Sequence, residues 1–298
     1  MGNGIQQQAA EGQKDLCVVL ACDANFFHQF QQCLASIRKW PLPFSFDIRL
    51  IGIDLEPQQL SWLNESGVRV TTDLSVFPQF SAGSRHLIGM TCRPVIPKVF
   101  PGYRAYVWVD CDIRFLRPEG LLFYGEHALN PGYSLVIAHE TEPTYSYNID
   151  PGWGRRYHED NFQRMKDEFG VEIAEYLRYF KLYNAGIFGA RADSPIWARY
   201  ERNLQISMRL GAHWGREQDA LNVSIAEVGS IKHAPSTHNW LCCFSTPYHD
   251  TLTGDWVSPQ ESGRKIAVAH LSNSNAVITY QNRQCRMYEF YQSIGLTE

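Results

Sequence analysis

Apolar and polar positions fall in blocks along the first hundred residues. LCVVLACD (16–23) is an apolar run that stops on Asp23, the pattern of a parallel strand covered on both faces. FFHQFQQCLASIRKW (26–40) spaces its apolar residues at helical intervals and halts at Pro41, where a helix cannot continue. FDIRLIGID (46–54) predicts a second strand, PQQLSWLNESG (57–67) a helix closed by Gly67, and VRVTTD (68–73) a third strand. This order is that of an α/β unit with right-handed crossovers. Ligands of such units collect at the carboxyl ends of the strands, where Asp23 falls.

The pattern then becomes more elaborate. Residues 85–99 read as helical but are broken by Pro94 and Pro97, and YRAYVWVDCDIRFL (103–116) carries a strand that ends in two aspartates. YSLVIAHE (133–140) predicts another strand. Residues 141–181 are rich in Tyr, Trp, His and charge, and predict an insertion with a helix at 159–179. YNAGIFGAR (183–191) is an apolar strand containing two glycines. Residues 194–210 predict a helix with Ser194 as N-cap and Pro195 in first position. Residues 216–229 predict a second, shorter helix, and IAVAHLSN (266–273) a last strand that ends in a histidine. There is no internal repeat, low-complexity tract or long linker. The expected organisation is a flexible polar lead-in over residues 1–14 and a single domain over 15–298.

Composition narrows the function classes. The chain has 298 residues, 44% of them apolar, enough for a sizeable core. Its net charge is −4 without a basic stripe, which argues against a nucleic-acid binder that works by phosphate neutralisation. Small phosphorylated ligands stay open. No apolar stretch approaches the roughly 18 residues of a membrane span. The first residues lack the apolar core of a secretion signal, and Gln6 stands where myristoylation wants Ser or Thr. The eight cysteines form no matched CxxC pairs, and several sit in apolar runs. A reduced, cytoplasmic chain is expected.

Several positions could carry chemistry. Asp110 and Asp112 flank Cys111. In a strand, residues two apart face the same side, and a hard divalent cation relieves the repulsion of two adjacent carboxylates. The alternative is a polar strand end with one aspartate capping a turn. His270 is either a hydrogen-bonded structural residue or the nitrogen that completes an oxygen-plus-nitrogen set suited to Mn2+, or to Mg2+. Asn184, Ala185 and Gly186 are small enough to let a ligand approach the backbone, or they form a tight turn. Glu217, Gln218 and Asp219 open a helix, where acids also suit the dipole. Asp23 and Asn25 either cap the following helix or read a ligand.

Taken in order, ACDANFF, VWVDCDIRF, YNAGIFGA, EQDALN and AHLSN resemble the motifs of the GT-A glycosyltransferases. They are most similar to glycosyltransferase family 8, retaining enzymes that include galactosyl- and glucosyltransferases and glycogenin. The resemblance covers residues 16–275 with gaps and rests on these five motifs. It implies an α/β GT-A fold with a mixed central sheet, split into a nucleotide-binding half (15–115) and a sugar- and acceptor-binding half (116–298). It also implies metal-dependent transfer of a hexose, galactose or glucose, from a UDP-sugar to a saccharide, glycolipid or protein hydroxyl. Asp110, Asp112 and His270 would hold the metal. Asp23, Asn25, Arg93, Asp110, Cys111, Asn184, Ala185 and Gly186 would contact the nucleotide sugar. Glu217 and Gln218 would stand beside the anomeric carbon.

One departure stands out. The family's glycine and diphosphate-gripping lysine after the histidine are replaced here by Asn273 and Ala276, so either the phosphate clamp differs or another group such as Arg283 or Arg286 supplies the charge. Tyr145, Tyr147, Trp153, Tyr157 and His158 form a candidate acceptor wall, since aromatic faces stack on sugars. An inverting transferase would need a carboxylate base, which segment 140–160 could supply. A phosphatase with an Asp-x-Asp nucleophile wants Thr or Val where Arg114 stands. A sugar-binding module would have no need of a metal set. Contact with a membrane surface stays open.

Overall fold

The structure is a computed structural model, which describes residues 14–77, 87–140, 151–178, 182–211, 215–261, 263–281 and 283–297. Strand β1 (Lys14–Asp23) leads into helix α1 (Phe27–Arg38), then β2 (Phe46–Ile53), α2 (Pro57–Glu65) and β3 (Arg69–Thr71). Lys14 belongs to β1, so the first strand begins inside the expected lead-in. Gly67, at φ 66°, takes the left-handed turn that closes α2. The proline-broken stretch becomes two single turns, α3 (Ile88–Thr91) and α4 (Ile96–Val99).

Strand β4 (Tyr103–Val109) is followed by β5 (Ile113–Phe115), α5 (Pro118–Leu129) and β6 (Leu135–His139). The predicted helix at 159–179 is instead two helices, α6 (Pro151–Phe169) and α7 (Val171–Arg178). The break between them is Gly170, at φ 91°, a conformation only glycine adopts without strain. Next come β7 (Tyr183–Arg191), α8 (Ile196–Ser207), α9 (Arg216–Val228) and β8 (Ile231–Ala234). α8 begins one residue later than expected, with Pro195 rather than Ser194 at the N-cap position, although Ser194 Oγ still accepts from the Ile196 N–H at 3.3 Å; it stops at Ser207, three residues short of the expected end. The remaining elements are β9 (Trp240–Leu241), β10 (Tyr248–Asp250), β11 (Asp255–Val257), β12 (Val268–His270), β13 (Val277–Tyr280), β14 (Arg283–Arg286) and α10 (Met287–Ser293).

Seven strands form the main sheet in the order β3-β2-β1-β4-β7-β6-β8. β7 runs antiparallel to both of its neighbours, and the other pairs are parallel. The sheet is therefore mixed, as expected. Alternation along β1 divides the core: Cys17, Val19 and Ala21 pack on one face, and Leu16, Val18, Leu20 and Cys22 on the other. The second face is covered by α1, α2 and α5 through Phe30, Leu34, Leu63, Leu121 and Tyr124. The first is covered by α8 and α9 through Ile196, Tyr200, Leu204, Leu221 and Ile225. Each fully buried side chain of this kind contributes about 1.5–3 kcal/mol, so the strand ends project from a firm base. A second sheet of three strands, β5-β12-β9, lies beside the main one. All eight cysteines are free thiols. Among the described residues, no helix is long and apolar enough to cross a membrane.

Candidate active site

The chain leaves β4 at Val109 and turns at once. The Ile113 N–H bonds the Asp110 carbonyl at 3.1 Å, so Asp110, Cys111 and Asp112 form a turn rather than a strand end. The expectation that both carboxylates share one face of a strand is thus corrected, but they still converge, because the turn wraps them around one point. Past it the chain abandons the main sheet and joins β5 to β12. Main-chain bonds fasten both aspartates: Asp110 N–H to Gly186 O at 2.8 Å, and Leu271 N–H to Asp112 O at 3.0 Å. His270, at the end of β12, then brings Nε2 to 3.4 Å from Asp112 Oδ1.

One ligand atom from each of Asp110, Asp112 and His270 lies within 4.8 Å of the others. Two carboxylate oxygens and an imidazole nitrogen at that spacing fit a divalent cation such as Mn2+. Burial pushes the Asp110 carboxyl up, with Asp112 adding to the effect, against the pull of Arg93. Burial also opposes ionisation of Asp112, but His270 and Arg114 outweigh it and hold that carboxyl below the usual range. His270 responds in kind: burial lowers its pKa, Asp112 raises it, and the net shift is upward.

A chain of hydrogen bonds runs outward from His270. Its Nδ1 meets Asn239 Oδ1 at 3.0 Å, and Asn239 Nδ2 donates to Asn184 Oδ1 at 2.9 Å. The same Asn184 oxygen accepts from the Gly186 N–H at 3.0 Å, and Asn184 Nδ2 donates to Glu140 Oε1 at 3.3 Å. Gln218 joins at longer range, with Nε2 3.5 Å from Glu140 Oε1 and Oε1 3.4 Å from the Ala185 N–H. Gly186 has a reason here that the sequence did not suggest. A Cβ on it would sit 2.3 Å from His270 Cε1, so the close approach is made by the histidine ring.

Arg93 ties the other side together. It is 4% exposed, lies over the Trp108 ring at 4.9 Å, and donates to Asp110 Oδ1 at 2.6 Å and to Glu217 Oε2 at 2.5 Å. Trp108 Nε1 reaches the same Asp110 oxygen at 2.7 Å. Burial pushes Glu217 up to about 7 despite this arginine, whose one charge is shared between two acids. The structure thus brings Asp110, Asp112, His270, Arg93, Asn184, Ala185, Gly186, Glu217 and Gln218 together. Cys111 lies in the turn between the aspartates, half-buried.

Asp23 and Asn25 stand apart from this network. Asp23 Oδ1 accepts from the N–H groups of Asn25 at 2.9 Å and Phe26 at 3.0 Å, shaping the entry to α1, and Asn25 is exposed. Arg283 and Arg286 are exposed on the β13–β14 hairpin, Arg283 opposite Tyr280 and Arg286 opposite Val277, next to Ala276. Asn273 adopts φ 61°, the left-handed conformation that glycine takes most easily and asparagine tolerates. Tyr145 and Tyr147 lie outside the described residues, and Trp153, Tyr157 and His158 are described only as backbone of α6. Two members of the network were not singled out from sequence. Glu140 had a signal, an apolar strand ending in a carboxylate just as β4 does. Asn239 had none.

No family model matches the chain, and no curated protein matches it. Solved structures do share its fold. A galactosyltransferase, LgtC, in complex with donor and acceptor sugar analogues is 15% identical, with 94% of this chain and 95% of that one covered and a TM-score of 0.55. Mouse xyloside xylosyltransferase 1 is 13% identical over 86% of this chain and 97% of that one, TM-score 0.52. The bifunctional glycosyltransferase WbbM is 16% identical over 76% of this chain, with a TM-score of 0.51, and the match spans 40% of WbbM. The expected GT-A fold is therefore the fold found.

Proposed function

We propose that this chain is a metal-dependent glycosyltransferase that moves a hexose from a UDP-sugar to a hydroxyl acceptor with retention of configuration. The observation that carries the reading is the meeting of Asp110, Asp112 and His270 ligand atoms within 4.8 Å at the strand ends, joined through Asn239, Asn184 and Glu140 to Gln218. Residues 15–298 would work as one domain, with the nucleotide held by 15–115 and the sugar and acceptor by 116–298. The eight free thiols support a reducing, cytoplasmic setting.

Asp110, Asp112 and His270 would hold the cation, which when bound would offset negative charge on a departing diphosphate. Arg93 keeps Asp110 and Glu217 at fixed separation from the reacting centre. Asn184 and Glu140 orient the Gln218 amide beside the anomeric carbon. An amide is a poor nucleophile, so Gln218 supports developing positive charge electrostatically, which favours attack from the leaving-group face without a covalent intermediate. Arg286, next to Ala276, is our candidate for the second positive charge on the diphosphate.

The test is incubation with UDP-galactose and UDP-glucose in the presence of Mn2+. Slow UDP release without acceptor is expected. Phosphate release from a simple phosphoester would point to a phosphatase instead, and binding without turnover to a sugar-binding module. The product anomer, read by proton coupling, should be α. A β product would move the chain to the inverting class, with Glu140 the first carboxylate to examine as base.

A further inference from the structure

After Arg216, the first turn of helix α9 carries three polar residues that leave in three directions. Glu217 goes to Arg93 and Gln218 to Glu140. Asp219, 1% exposed, goes to Arg164 of α6, whose Nε bonds Asp219 Oδ2 and whose terminal nitrogen lies 3.0 Å from Oδ1. This is a two-point grip, which a guanidinium can make and an ammonium cannot. The same guanidinium is braced from its own helix by Asn161 Oδ1 at 2.5 Å.

Space has been cleared for it. A Cβ on Gly215, the residue just before α9, would lie 3.0 Å from Arg164 Cζ and 3.2 Å from Nε. One turn further along α6, Glu168 accepts from Ser207 Oγ and lies 3.3 Å from Arg216 Nε. Two residues four apart on α6 thus hold both Arg216 and Asp219, the residues on either side of Glu217 and Gln218. By contrast, Gln218's own bonds are long, at 3.4 and 3.5 Å, so its neighbours in the chain must fix its direction.

We infer that Arg164 is a positioning residue of this site: by gripping Asp219 it fixes the first turn of α9 and so aims Gln218. The inference rests on the transferase reading for its effect on rate, but not for its effect on α9. Removing one partner of a buried ion pair also endangers the fold, whereas replacing both with apolar residues does not. The decisive variant is therefore the double Arg164→Met/Asp219→Leu. Its melting temperature should match the wild type, while kcat for UDP release from UDP-galactose falls roughly 100-fold, as a misaimed group costs. KM for UDP-galactose and the Mn2+ titration should each stay within about twofold, because neither contact is touched. Gly215→Ala, which crowds the guanidinium, should give a smaller loss of the same kind. Unchanged kcat in a folded double variant overturns the inference. If the wild type releases no UDP from either donor, the transferase reading falls by itself, and hydrogen exchange decides the rest. The amide at position 219 should exchange faster in the double variant than in wild type at equal global stability, and equal rates would show that the Arg164 grip does not hold the turn.

Discussion

The two sides of the site are built on different principles. On the metal side, the positions of Asp110, Asp112 and His270 are set by main-chain bonds to Gly186, Leu271 and Cys242, at 2.8, 3.0 and 3.0 Å. On the helix side, the side chains of Glu217, Gln218 and Asp219 are aimed chiefly by side chains of other elements: Arg93, Glu140 and Arg164. Main-chain fastening survives the loss of a side chain. Side-chain fastening does not, so a single replacement on the helix side disturbs geometry as well as chemistry.

Asp112→Ala tests the metal side most severely. Its carbonyl still bonds Leu271, so the fold and melting temperature should be kept. Mn2+-dependent UDP release should fall on the order of 1000-fold. Full activity would remove the metal reading, and a collapsed fold would contradict main-chain fastening.

Gly186→Ala attacks the one place where the metal side depends on bulk. The added methyl would meet the His270 ring at 2.3 Å from Cε1. Overpacking of this kind costs about 1–3 kcal/mol, which urea unfolding would register together with a weaker Mn2+ titration. Wild-type values in both would mean that the ring has room to move. Asn239→Ala removes the partner that orients His270, together with its bond to Asn184. Outer partners of this sort are worth about 10- to 100-fold in metal affinity, read by calorimetric titration, and an unchanged isotherm would deny Asn239 that role.

The smallest effect is the share of the pH dependence that Glu217 contributes on the helix side. Glu217 keeps its proton up to about 7 when folded, against 4.5 for the ordinary carboxyl, because burial disfavours its charge. Between those values the unfolded chain has lost the proton and the folded chain retains it. Stability from this group is therefore complete at acid pH and declines as pH rises through about 7. Urea midpoints measured with EDTA should show that decline, and Glu217→Gln should flatten it. An identical slope in the variant would assign the dependence elsewhere.

The same division explains what could be read in advance. The strands β1 and β4 declare themselves because burial on both faces demands near-continuous apolar runs, and their ends then mark Asp23 and Asp110. His270 was visible for the same reason. The local shape of the Asp110 turn was not, because a strand and a turn both accept Asp-Cys-Asp and only the switch to β5 decides. Asn239 sits in a short polar loop like many others, and its value comes from the ring it touches 31 residues later. Arg164 lies on a highly charged helix, where nothing distinguishes a gripping arginine from a solvated one. The helix break at Gly170 was legible in principle, since glycine is the usual left-handed stop, but the helical spacing on either side concealed it.

The path of the chain at Asp110 has one more consequence. Asp110 hangs from the seven-stranded sheet through Gly186, and Asp112 from the three-stranded sheet through Leu271. The two carboxylates therefore straddle a seam. A cation gripped by both would act as a rivet across it, so that binding the ion would also stabilise the folded arrangement of the two sheets.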